Sequence, residues 1–148
     1  MSRYADEFSG ILEKYRQDLQ KLESESRPGD GLFGFGRKKE DHPCHAAMDQ
    51  AAEALCTRLA GDPEADFQEA SSLLSLLLEA ASACPWPDHA RWMLIAAQRH
   101  GMLLVPRLSP EDAEDIAGRF AAAVNRRDRV PVQETLLKAL RRRAEQIR

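Results

Sequence analysis

The sequence predicts an all-α fold, an irregular bundle of about six helices forming a single domain over residues 1–148, and three observations predict it. Apolar residues recur at steps of three and four through most of the chain, the period of a helix with one face turned to a core. Most segments open on a proline next to a capping residue, the arrangement that starts helices. Aromatic residues make up only 6% of the chain, and Leu and Ala, which favour helix over sheet, supply most of the 43% hydrophobic fraction.

The first helix is expected from about Ser2 to Glu25, with Tyr4, Phe8, Leu12, Tyr15, Leu19 and Leu22 as one apolar stripe. Charges opposite the stripe form helix-neighbour pairs, Lys14 with Asp18 and Lys21 with Glu25. The stripe spans two to three heptads, short for a coiled coil, so it is read as docking on the domain's own core, with self-association as its other use. Pro28 and Gly29, Gly31, Gly34 and Gly36 then mark residues 27–41 as a Gly-rich irregular loop between the first and second helices.

Asp41 or His42 can cap a second helix that begins at Pro43, ends near Gly61 and places Met48, Ala52, Leu55 and Leu59 on one face. Asp62 followed by Pro63 gives the same start signal for a third helix running to about Ala83. Leu73, Leu74, Leu76, Leu77 and Leu78 point nearly all the way round it, which predicts a buried central helix.

Asp88 caps a fourth helix with Trp92, Ile95, Ala96 and Arg99 on one side, closed by Gly101. Residues Met102 to Val105, stopped by Pro106, are expected as an extended linker lying on the core. Ser109, Pro110, Glu111 and Asp112 are the clearest helix start in the chain, followed by Ala113, Ile116, Phe120 and Val124 as an inner face. Pro131 opens a last helix with Val132, Leu136, Leu140 and Ile147 inward. A short solenoid-like stack of helical hairpins is the alternative architecture, disfavoured because the chain shows no fixed-period repeat.

A chain of 148 residues is long enough for a self-sufficient core, burying roughly 70% of its unfolded surface. The net charge of −3 creates no global field for nucleic acid. The start MSRYADEFSG lacks the features of a secretory signal, and three cysteines are an odd number for a disulfide framework; both point to a cytoplasmic protein with reduced thiols. The most apolar stretch, Ala70 to Cys84, includes Glu79 and four serines and is too short and polar to span a bilayer.

Three features could carry function. The stretch Gly31 to Lys38 has the glycine spacing of a P-loop, but Arg37 and Lys38 stand where Lys and Ser or Thr are needed, and no strand precedes it. The same stretch suits partner binding, with Leu32, Phe33 and Phe35 presented beside Arg37 and Lys38; the plainer role for its apolar residues is to plug the core.

Cys44 and His45 open the second helix, where the helix dipole favours thiolate, so a reactive thiol or part of a metal site can be drawn. The plainer alternative is a small residue and two surface histidines, and the other Cys and His residues show no paired ligand spacing. In the C-terminal stretch eight cations, among them Arg127, Lys138, Arg141 and Arg142, face three acids, which could engage phosphate; no aromatic residue lies among them to stack on bases.

The function expected is that of a non-enzymatic protein-protein interaction module using the first helix and the Gly/Phe loop, with no cofactor and no metal. Nucleic-acid binding by the last helix and thiol or metal chemistry at Cys44 are the alternatives.

Overall fold

The structure, a computed structural model, describes residues 3–25, 43–83, 87–124 and 134–146. Among them it is all-helical: α1 (Arg3–Glu25), α2 (Pro43–Gly61), α3 (Phe67–Ala83), α4 (Pro87–Leu104), α5 (Pro110–Val124) and α6 (Glu134–Glu145), with a 3₁₀ turn at Val105–Arg107 after α4. No described helix is long and apolar enough to cross a membrane.

The α1 stripe docks as its spacing requires. Tyr4, Phe8, Tyr15 and Leu19 are buried against α2 and α3, and Ile11 and Leu12 pack half-buried beside them. On the outer face Lys14 pairs with Asp18 at 3.5 Å. Three contacts set α1 antiparallel to α2. The Tyr4 hydroxyl donates to Asp62 at 2.6 Å, Arg58 reaches Glu7 with both nitrogens at 3.0 Å, and Tyr15 meets His45. Two parallel N–H to carboxylate bonds fix direction as well as distance, so the Arg58–Glu7 fork aligns the hairpin. Arg58 accordingly holds the Glu7 carboxyl below the usual carboxylate range.

Two helix boundaries differ from the sequence expectation. α3 opens at Phe67, not at Pro63. Asp62 is occupied otherwise: its Oδ1 accepts the Glu64 N–H at 2.9 Å and its Oδ2 accepts Tyr4. The Asp62 and Ala65 carbonyls are taken by Arg107 at 2.9 and 2.6 Å, so the segment stays a turn. Asp66 becomes the cap instead, accepting the Glu69 N–H at 2.9 Å.

α4 does not stop at Gly101 but continues to Leu104, and Val105–Arg107 is a 3₁₀ turn, so the expected extended linker is helical. Gly101 serves packing. A Cβ there would lie 2.9 Å from Leu74 Cδ1 and 3.5 Å from a Leu136 methyl, so the absence of a side chain lets α3 and α6 close on α4. The buried face of α4 is Met93, Ala96, Ala97, His100, Gly101 and Leu104, one step away from the expected Trp92, Ile95 and Arg99 side.

The leucines of α3 are buried except Leu76, which is half-buried, while Gln68 and Glu79 face water. The centre is shared by two helices: α3 packs on α1, α4 and α5, and α4 packs on α2, α3 and α6. α5 begins as expected, the Asp112 N–H donating to Ser109 Oγ at 3.1 Å, and buries Ala113, Ile116 and Phe120. It lies against α6, which buries Leu136, Leu137, Leu140 and Ala144.

Candidate functional site

The polar groups of greatest chemical interest lie where α1, α2 and α4 meet. His45, expected at the surface, is fully buried in the first turn of α2. Its ring stacks on Trp92 of α4 with centroids 5.1 Å apart and planes 7° from parallel, and the Tyr15 ring meets it edge-on at 5.7 Å. The Tyr15 hydroxyl and His45 Nδ1 share a hydrogen bond of 2.7 Å. A buried imidazole without a partner is costly, and the hydroxyl supplied by α1 offsets that cost while Trp92 covers one face of the ring.

Cys44 lies next to this stack, with Sγ 4.0 Å from the same Nδ1. A cysteine-histidine nucleophile needs the ring nitrogen free to take the thiol proton. Here Tyr15 already engages that nitrogen at the shorter distance. Burial, followed by the nearby Asp18 carboxylate, pushes the Cys44 thiol up, and burial pushes the Cys56 thiol up to about 12. The Cys44 shift opposes the thiolate that the helix dipole alone would favour there.

The expected outcome is slow labelling. In a Cys84→Ser background at pH 7.5, Ellman's reagent is expected to modify Cys44 and Cys56 roughly tenfold or more slowly than free cysteine. Labelling of Cys44 as fast as free thiol at neutral pH would show a reactive cysteine. Linkage gives the same sign for stability. Both thiols ionise at lower pH in the unfolded chain than in the folded one, so their contribution holds below about pH 8.5 and declines as pH rises through the folded values.

Cys44 also lines an open recess of about 220 Å³ between α1 and α2, formed with Ile11, Tyr15, Met48 and Ala51 and flanked by Lys14 and Asp18. A turn further along α2, Asp49 accepts from His100 Nε2 of α4 at 2.9 Å. Asp49, Glu53 and His100 bring their donor atoms within 4.8 Å of one another, the residues among those described that could hold a metal ion. The sequence reading missed this group. Its one local signal is the four-residue spacing of Asp49 and Glu53, and His100 joins them from 51 residues away.

The remaining expected residues fall into two sets. Leu32, Phe33, Phe35, Arg37, Lys38 and Arg127 lie outside the described residues. Lys138, Arg141 and Arg142 are exposed on α6, but Arg141 shares a recess of about 310 Å³ with Glu114 and Glu145. Arg143 is turned back onto the fold, donating to the Leu108 carbonyl at 2.9 Å. No protein-family model, curated protein or solved structure matches the chain. What the fold and its polar groups define is therefore a class, an all-helical bundle among the described residues in which a buried histidine is bonded by Tyr15 and stacked on the partly buried Trp92.

Proposed function

We propose that this chain is a small, non-enzymatic protein-protein interaction module of the cytoplasm, in which the bundle is a rigid base and residues 27–41 make the contact. The observation that supports it is the antiparallel α1–α2 hairpin. Its pairing, fixed by the Arg58–Glu7 fork and the Tyr4–Asp62 and Tyr15–His45 bonds, puts Glu25 and Pro43 at the same end of the bundle. The intervening sequence carries Leu32, Phe33 and Phe35 beside Arg37 and Lys38, an apolar group with cations of the kind that recognises partner surfaces.

The apolar stripe of α1 is spent inside the bundle, so α1 contributes to such a contact through its charged outer face. Loops on rigid scaffolds are where recognition residues concentrate. The nucleic-acid alternative draws less support, because Glu114 and Glu145 offset Arg141 and Arg143 is committed to the fold.

Removing residues 29–39 tests the reading. The shortened chain is expected to keep its thermal transition within a few degrees while losing the partner that the intact chain captures by crosslinking in cells. A Phe33→Ser, Phe35→Ser double variant is expected to lose the same partner. Unchanged capture would overturn the proposal, and so would unfolding of both variants, since that would assign the phenylalanines to the core.

A further inference from the structure

We infer that Asp49, Glu53 and His100 form a binding site for one divalent first-row transition ion, with zinc as the reference ion, bridging α2 and α4. Asp49 and Glu53 are four residues apart on α2 and so share a face of that helix. His100 comes from α4, and all three donor atoms lie within 4.8 Å of one another.

The spacing already matches coordination geometry. Donors held about 2.1 Å from one ion lie roughly 3.0 Å apart in octahedral and 3.4 Å in tetrahedral arrangement. His100 Nε2 and Asp49 Oδ1 are 2.9 Å apart, close to that spacing, and the Asp49 carboxylate turns off the Nε2–H axis to bind beside the ion that takes its place there. Glu53 is exposed, and a rotamer change of a surface side chain brings its carboxylate in.

The donor set selects the ion class. One imidazole nitrogen with two carboxylates suits zinc, manganese, iron or cobalt, whereas calcium and magnesium prefer all-oxygen shells. His100 is 1% exposed, which fixes its ring and excludes competing water on that side. Arg99 sits 4.0 Å from the other Asp49 oxygen, but its side chain is 66% exposed and free to move into solvent when the ion arrives. Two carboxylates against one guanidinium leave the site negative.

Without the ion, Nε2–H donates to Asp49; on binding, the neutral ring takes its other tautomer, the proton moving to Nδ1 by way of solvent, and Nε2 turns its lone pair to the ion. Three protein ligands leave at least one position for water on the exposed Glu53 side.

The test uses the full chain stripped of metal by chelator and titrated with zinc by calorimetry, with cobalt absorption as a second readout. One ion per chain is expected, with a rise in Tm on binding. Glu53→Gln, a change at an exposed position, is expected to weaken zinc at least tenfold with the metal-free Tm unchanged. Asp49→Asn still accepts the His100 bond, so it is expected to keep the metal-free Tm and lose the zinc response. Absence of saturable binding overturns the inference. Affinity unchanged in both variants overturns it too, because the ion would then sit on other residues.

Discussion

Replacing Phe8 with alanine is expected to remove about 3–5 kcal/mol of folding stability, seen as a lower urea midpoint with an unchanged slope. Phe8 is fully buried in the α1 stripe, between the buried Tyr4 and Tyr15. Its truncation loses the transfer energy of an aromatic ring and leaves a cavity that rigid helices on either side only partly fill. Against a typical total of about 5–15 kcal/mol, that is roughly a fifth or more of the margin. Leu12→Ala, on the same stripe but half-buried, is expected to cost less.

The result separates the two uses of the stripe named from sequence. Docking on the domain's own core predicts a loss of stability that does not depend on protein concentration. Self-association through the stripe predicts a loss that shrinks on dilution, with a change in molecular mass. A cost below about 1 kcal/mol, the ordinary effect of a surface substitution or little more, would show that α1 is not held by its stripe.

What was legible in the sequence is what local physics decides. The α1 period, the Pro43 start of α2 and the Ser109 cap of α5 depend on residues three or four apart, and the structure has each of them. What was not legible depends on residues far apart. Asp62-Pro63 carries the same start signal as Ser109-Pro110, yet Tyr4, 58 positions earlier, and Arg107, 45 positions later, hold it as a turn.

Gly101 looks like a helix terminator, but Leu74 and Leu136 need its missing side chain more than the helix needs to end. Histidine has no hydrophobic signature, so nothing local marks His45 or His100 as buried. Their partners, Tyr15 and Asp49, are 30 and 51 positions away. The candidate site was hidden for the same reason: a single pair on α2 was within reach of spacing arguments, and the third ligand arrives only when α4 packs beside it.

Arg107 provides the second large effect. It follows Pro106 in a short 3₁₀ turn, where sequence assigns it no task, yet its guanidinium gathers three backbone carbonyls: Ala60 at 3.3 Å, Asp62 at 2.9 Å and Ala65 at 2.6 Å. Ala60 belongs to the last turn of α2, whose carbonyls have no helical donors and carry the negative end of the dipole. One half-buried cation therefore closes α2 and holds the turn that precedes α3. Arg107→Ala is expected to cost about 2–3 kcal/mol, since bonds to a charged donor are lost together and the carbonyls keep only what water supplies. Arg107→Lys is expected to recover less than half, because an ammonium cannot span three acceptors as a planar fork does. Hydrogen exchange at the amides of Asp62 and Ala65 should accelerate in both variants, since these donate within the turn to Leu59 and Asp62. A cost under about 0.5 kcal/mol, with exchange unchanged, would mean that water replaces the guanidinium and that Tyr4, bound to the Asp62 side chain at 2.6 Å, holds the turn alone.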